Sequence, residues 1–343
     1  MRIRDYGITI GNGTPGPLNK ITDVKGVLVG HKTIINERHQ TGVSVIVPCP
    51  ENPFTHKLPA ASFVLNGYGK SQGTIQIDEL GTLETPIALT NTLNIGKVHD
   101  AMVEYMINRC EQDGVNLVSV NPVVCECNDS ALNKITERIV SREDVFEAFD
   151  NACEDFEEGA VGGGRGMICH SLKGGIGSSS RIINFDGTDY TIGILVQTNH
   201  GLIHNLTVNG DPVGKKITHG EMVKCPDKGS CIIILATDLP VTDRQLKRML
   251  RRCGNGLARV GSYTGHGSGE VFIGFSTANR ECAGDPCVRD IKMLRDDCLD
   301  GCFALVTEAV EEAVLNSLIT AEEVTGYSGL TVDALKDYLP RPE

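Results

Sequence analysis

The chain has 343 residues, of which 40% are apolar and 22% charged, with 39 glycines and 14 prolines. That composition is globular, too apolar for a disordered chain, and the length allows one large domain or two ordinary ones. The net charge of −12, with no basic run, argues against nucleic acid or an anionic membrane as a partner.

The first half alternates short β-rich runs with glycine turns, predicting strands at 42–47, 61–65 and 86–89. Three- and four-residue steps between Val98, Met102, Tyr105 and Met106 predict a helix over 96–109. Residues 117–120, followed by Val123 and Val124, read as strand. A helix over 141–156 is signalled by amphipathic spacing, with Ser141 as N-cap and Asp144 three residues on. A loop follows at 159–180, holding eight glycines.

Near-continuous apolar content predicts doubly buried strands at 191–198 and 231–236. Between them, 211–229 is polar and reads as an exposed loop. Helices are expected at 242–257 and 305–318, the second with Glu308, Glu311 and Glu312 on its wet face. The irregular alternation of strands and helices lacks a regular βαβ cadence, which favours an α+β, layered architecture.

No stretch reaches about 18 consecutive apolar residues, so no membrane span is expected. The opening Met-Arg-Ile-Arg-Asp-Tyr-Gly lacks an apolar signal core, and thirteen cysteines, an odd number, read as free thiols. Both features point to a reducing cytoplasm.

Several motifs fail on mechanism. Gly67-Tyr-Gly-Lys-Ser71 resembles the end of a phosphate loop, but Val64 stands where its first glycine belongs. Gly69-Lys-Ser-Gln-Gly73 fits a nucleophile elbow, yet the following Thr-Ile-Gln-Ile alternates like a strand where a helix is required. His200 and His204 have the spacing of a zinc-binding helix, but Gly201 replaces the catalytic glutamate and the context is strand and loop. Cys282, Cys287, Cys298 and Cys302 match no common zinc-knuckle spacing and read as free thiols, as do Cys125 and Cys127.

Gly229-Ser230 remains, at the point where a polar loop becomes a buried strand. Such a pair is ordinarily a turn. It also carries chemistry: attack of the Ser230 hydroxyl on the Gly229 carbonyl converts the peptide to an ester that water can open. The new chain starts at Ser230, with an α-amine of ordinary pKa about 8 that can act as base for its own hydroxyl. Glycine on the leaving side tolerates strained backbone and leaves the carbonyl accessible. Cys231 is a second candidate nucleophile if the cut lies one residue later.

Ordered blocks along nearly the whole chain resemble one family. They include Asp23-Val-Lys-Gly-Val-Leu-Val-Gly-His31, Glu84-Thr-Pro-Ile-Ala-Leu-Thr-Asn-Thr92 and Gly193-Ile-Leu-Val-Gln-Thr-Asn-His-Gly201. Gly229-Ser-Cys-Ile-Ile-Ile-Leu-Ala-Thr-Asp238 and Gly267-Ser-Gly-Glu-Val-Phe-Ile-Gly-Phe-Ser276 continue the series. Together they resemble the DmpA (P1) peptidases, the L-aminopeptidase/D-esterase and β-peptidyl aminopeptidase enzymes. The resemblance implies a four-layer αββα sandwich of the N-terminal-nucleophile-like type shared with ornithine acetyltransferases. It implies one domain over 1–343, self-cleaved between Gly229 and Ser230 into chains 1–229 and 230–343.

By the same resemblance Ser230 is the nucleophile, Asn199 the oxyanion-hole donor, and Ser268 with Glu270 the serine–acid pair that orients the Ser230 amine. Asn128 falls where some relatives carry tyrosine, so an amide replaces a phenol at a substrate-facing position. A cut at Cys231 breaks the match. The implied activity is release of amino-terminal residues from short peptides, amides or esters, with no metal or organic cofactor, by a homo-oligomer that resemblance makes a tetramer of αβ units. Acyl transfer of the ornithine acetyltransferase type is the enzymatic alternative, although those enzymes use threonine. An uncleaved, inactive small-molecule-binding protein is the other.

Overall fold

A computed structural model describes residues 1–217 and 229–339. Strands β1 (Leu28–Ile35), β2 (Gln40–Val47) and β3 (His56–Gly67) lead into helix α1 (Thr74–Leu80) and the short β4 (Thr82–Leu83). Then come β5 (Ile87–Asn91), α2 (Ile95–Gln112), β6 (Val123–Cys127) and α3 (Arg142–Asp150). A two-residue hairpin, β7 (Ile168–Cys169) and β8 (Leu172–Lys173), precedes the long β9 (Ile176–Phe185) and β10 (Thr188–Asn199). The chain continues with β11 (Ser230–Thr237), α4 (Asp243–Arg259), β12 (Gly269–Ser276), β13 (Glu281–Cys282) and α5 (Leu299–Ile319).

The larger strands form two sheets, ordered β1-β2-β5-β6 and β13-β3-β12-β11-β10-β9. Helices α2 and α3 pack on the first sheet, and α4 and α5 on the second. The result is the αββα sandwich expected from the resemblance. Strand β11 is buried along its whole length, and its alternation sorts it between two cores. Ile232, Ile234 and Ala236 enter the core between the sheets, with Leu195, Ile87, Leu89 and Val123. Cys231, Ile233 and Leu235 pack the other way, under Leu246, Leu250, Val306 and Val310 of α4 and α5.

Local signals set the helix starts. Thr242 Oγ1 accepts from the Gln245 amide at 3.3 Å, and Gln245 Oε1 accepts from the Thr242 amide at 3.2 Å, a capping box that opens α4. Ser141 and Asp144 do the same for α3, but α3 stops at Asp150 rather than near 156. There the chain turns extended and Cys153 bonds Val29 of β1 through both backbone groups.

Three further expectations are corrected. Thr74–Leu80 is helical, bracketed by Gly73 and Gly81 in left-handed conformation; alternation over four residues is too short to separate the two periods. The elbow still fails there, because β3 ends at Gly67, well before Ser71. Residues 117–120 form no strand, and Val118 is 86% exposed. Most of the expected 211–229 loop lies outside the described residues.

The third correction concerns α5. Glu311 and Glu312 are buried rather than wet, at 4% and 0% exposure. Glu312 takes Arg4 through two bonds of 2.6 and 2.8 Å and the wholly buried Arg181 at 2.7 Å. Burial alone would raise the Glu312 carboxyl, but the Arg4 hydrogen bond and the charges of Arg181 and Arg4 hold it below the ordinary range. The network clamps the amino-terminal segment and β9 onto α5. Glu312→Ala should therefore destabilise by about 3–5 kcal/mol, because it strands a buried guanidinium. Glu147→Ala, which removes the exposed partner of Lys32, should shift thermal unfolding far less; equal shifts in melting curves would contradict the buried clamp.

Candidate active site

Strand β12 runs parallel to β11 and β10 runs antiparallel. The starts of β11 and β12 and the end of β10 therefore share one end of the sheet. In the first row Ser230 pairs with Asn199 on one side and Gly269 on the other. Ser230 is 8% exposed. A Cβ at Gly269 would stand 3.2 Å from Ser230 Oγ and 2.8 Å from the Gly69 nitrogen, so a side chain there would crowd the hydroxyl.

Gly229 is constrained more severely. A Cβ would lie 1.8 Å from the Asn199 carbonyl oxygen and 2.6 Å from His200 Cα. Space, rather than the tolerance of strain argued from sequence, explains this glycine, since its φ is outside the left-handed region. Its carbonyl accepts a 3.1 Å hydrogen bond from the Gly269 amide, which polarises the carbon that the neighbouring hydroxyl would attack.

Asn199 closes β10. Its Oδ1 accepts from the Ile168 amide at 2.9 Å and its Nδ2 donates to the Asn128 carbonyl at 3.0 Å. These two bonds fix the amide with its nitrogen toward the end of β6, and the second Nδ2 hydrogen remains to be given elsewhere. Asn128 contributes through its backbone. Its exposed side chain accepts from the Ser130 amide at 3.0 Å.

Ser268 and Glu270 flank Gly269, and both are wholly buried. The Ser268 hydroxyl donates to Glu270 Oε1, and the Asn66 amide donates to the Ser268 carbonyl. The sequence-derived set Ser230, Asn199, Ser268 and Glu270 thus gathers at one sheet end, with Asn128 behind Asn199. Cys231 does not compete. Burial above all pushes its thiol well beyond the ordinary range, and a neutral buried thiol is inert.

One carboxylate escaped the sequence reading. Glu126, 2% exposed near the end of β6, accepts from the Lys70 amide at 3.0 Å and from the Thr92 hydroxyl. Its Oε1 lies 3.8 Å, and Gly269 Cα 3.9 Å, from where a Gly69 Cβ would stand. Its sequence signal is the lone charge in the otherwise apolar Val-Val-Cys-Glu-Cys run.

The glycine-rich stretch packs backbone against backbone. A Cβ at Gly163 would meet the Leu89 carbonyl at 2.7 Å, and one at Gly164 the Ile176 nitrogen at 2.6 Å. Lys173, fully buried, donates to the carbonyls of Gly164, Met167 and Gly174 at 3.1, 2.7 and 2.6 Å. Burial drives its amine well below the ordinary lysine range. This knot presents the Ile168 amide to Asn199. Cys282, Cys287, Cys298 and Cys302 form no ligand group; among the described residues that description fits Cys169, His170 and His200.

The Peptidase family S58 model matches residues 19–332. A β-peptidyl aminopeptidase of Sphingosinicella xenopeptidilytica is 38% identical over 355 residues, covering 96% of this chain and 88% of the relative. Another from Sphingosinicella microcystinivorans is 36% identical, covering 97% and 89%. Among solved structures, the PH0078 protein of Pyrococcus horikoshii OT3 superposes with a TM-score of 0.92 at 46% identity, covering 99% of this chain and 98% of the other. The L-aminopeptidase D-Ala-esterase/amidase of Ochrobactrum anthropi, a serine aminopeptidase with a variant of the Ntn hydrolase fold, superposes with a TM-score of 0.92 at 39% identity, covering 97% and 95%.

Asp129, next to Asn128, lies buried among Thr41, Asn91 and Asn133, all donating to its carboxylate. Burial outweighs those bonds and raises its pKa from 3.8 to about 6. The folded state then binds this proton more tightly than the unfolded chain. The stability it adds is full below 3.8 and lost as pH rises through about 6. Relative to Asp129→Asn, the native chain should gain melting temperature as pH falls from about 7 to about 5. Parallel melting curves for the two proteins would count against a shifted carboxyl.

Proposed function

The chain belongs to peptidase family S58, and from that premise we propose that Ser230 is its nucleophile, released by self-cleavage after Gly229. It is a hydrolase of the N-terminal-nucleophile aminopeptidase type. The observation that carries the proposal is the first row of β11. There the Gly229 carbonyl accepts from the Gly269 amide while the Ser230 hydroxyl sits against Gly269.

In processing, the Ser230 oxygen adds to the Gly229 carbonyl carbon, the C–N bond breaks, and the nitrogen takes the hydroxyl proton. Water then opens the ester, leaving chains 1–229 and 230–343 of one folded domain. In turnover the Ser230 amine takes the hydroxyl proton as the oxygen attacks the substrate carbonyl. The second Nδ2 hydrogen of Asn199 is given to the tetrahedral oxyanion. The amine delivers its proton to the leaving group and then activates the water that frees the acyl product. Ser268 and Glu270 hold the amine in place.

The substrates are short peptides, amides or esters with a free amino terminus. Two buried carboxylates beside the nucleophile, Glu126 and Glu270, suit an incoming ammonium group. The described cysteines are all free thiols, which supports a reducing cytoplasm. Among the described residues no helix is long and apolar enough to cross a membrane. The αβ units assemble as a homo-oligomer, a tetramer by resemblance.

Denaturing gels and intact mass should give two fragments for the native protein and one uncut chain for Ser230→Ala. A cut Ser230→Ala chain would transfer the processing to a host protease. Asn199→Ala should fold but lose about 10²–10³ in turnover of aminoacyl p-nitroanilides; an unchanged rate would remove Asn199 from the oxyanion hole. Gly229→Ala should accumulate as precursor, since its methyl would collide with the Asn199 carbonyl. Normal processing of that variant would show that the close approach is dispensable.

A further inference from the structure

Behind Asn199 lies a cluster that hydrolysis does not use. Cys169, His170 and His200 are all buried, and their donor atoms lie within 4.8 Å of one another. Cys169 Sγ is 4.0 Å from His200 Nδ1, and the two imidazoles meet edge-on with centroids 5.4 Å apart. Cys169 ends β7, His170 opens the turn to β8, and His200 follows β10. The His170 amide donates to the His200 carbonyl at 2.7 Å, so the two segments already touch.

We propose that Cys169, His170 and His200 hold one zinc ion, with water as the fourth ligand of its tetrahedron, that clamps the β7–β8 hairpin to the end of β10. His170 Nδ1 lies 3.1 Å from the Leu202 carbonyl. That bond assigns the proton to Nδ1 and the lone pair to Nε2, the outer-sphere arrangement that orients metal-binding histidines. His200 is 2% exposed, and its Nδ1, 4.0 Å from Cys169 Sγ, is the ring nitrogen placed to meet the ion.

The backbone also favours this meeting. His170 and Ser171 carry φ of 50° and 62° in a two-residue turn, a conformation that glycine and asparagine adopt more readily. Gly201, at φ +85°, leaves the space that the His170 ring fills; a Cβ there would be 2.5 Å from His170 Cε1.

One thiolate with two imidazoles is a borderline-soft donor set that selects zinc over magnesium or calcium. With metal–ligand bonds of about 2.0–2.3 Å, donors around tetrahedral zinc stand about 3.5 Å apart, so small side-chain rotations close the site. Binding converts the Cys169 thiol to thiolate and releases one proton. The ion would sit behind the oxyanion amide, because His200 follows Asn199 and Cys169 follows Ile168, whose amide holds Asn199 Oδ1. No step of hydrolysis passes through it. The sequence motif paired His200 with His204; the structure instead pairs it with an upstream Cys-His dipeptide.

The test is metal content of the full-length protein, followed by cobalt substitution. Protein from zinc-supplemented medium should carry about one zinc per chain, and the chelated protein should take up cobalt with tetrahedral ligand-field bands and a sulfur-to-cobalt charge-transfer band. Cys169→Ser should lose the charge-transfer band, His200→Gln should weaken cobalt at least about 100-fold, and His204→Ala and Cys287→Ser should retain both properties. Less than about a tenth of a zinc per chain together with no cobalt spectrum in the native protein would overturn the site, whatever the variants do. So would a sulfur-to-cobalt band that persists in a folded Cys169→Ser. Neither result bears on Ser230, whose processing is read separately by mass.

Discussion

A strand buried on both faces can do chemistry only at its ends, and β11 is such a strand. Its isoleucines are shared between two cores, so no side chain along its middle reaches solvent or substrate. Ser230, the proposed nucleophile, stands where the strand begins, and topology decides what stands beside it. Parallel pairing with β12 brings a second strand start, with Ser268 and Glu270. Antiparallel pairing with β10 brings a strand end, with Asn199. The first sheet adds the end of β6, from which Asn128 offers its carbonyl to Asn199. The site is a consequence of strand directions before it is a consequence of residue types.

Close backbone approach is the second constraint, and it explains why glycine recurs around the site. Gly229 and Gly269 fit against β10 and against the loop carrying Gly69, Gly162 fits against β1 and β2, and Gly163 and Gly164 fit against β5 and β9. Lys173 completes this packing from within. Its amino nitrogen takes the place of the water that three inward-facing carbonyls would otherwise require. These contacts place the Ile168 amide on Asn199 Oδ1, so the orientation of a single side-chain amide rests on a knot of loop backbone.

Much of this was legible in the sequence because it is local or periodic. The continuous apolar run of β11, the capping boxes of α3 and α4 and the three- and four-residue steps of α2 depend on neighbours along the chain. The residues flanking Ser230 were legible through resemblance. What stayed hidden depends on contacts across the fold. The glutamates of α5 recur with the period of a wet stripe, and nothing near them in sequence announces that Arg4 and Arg181 will cover Glu312 and Arg259 will cover Glu311. Glu126 looks like an accident between cysteines until the Lys70 amide and the Thr92 hydroxyl arrive from other segments. His200 had a tempting partner four residues away and a better placed one on a distant hairpin.

The buried acids pose one electrostatic difficulty for the chemistry proposed at Ser230, and the geometry answers it. An amine that serves as a base must be neutral at working pH, yet a carboxylate nearby favours the ammonium form and raises its pKa. Glu270 stands in the strand beside the future amine. Its Oε1, however, is already taken by the Ser268 hydroxyl, and a hydrogen bond to a carboxylate oxygen draws charge away from the amine. On that proposal the serine two residues before the acid would have two uses. It offers its own oxygen as an acceptor that can hold the amine in line with the Ser230 hydroxyl, and it moderates the carboxylate that would keep that amine protonated. The extended backbone running into β12 makes the pairing possible, because residues two apart in extended chain project to the same side, and Gly269 between them leaves room for the nucleophile on the other.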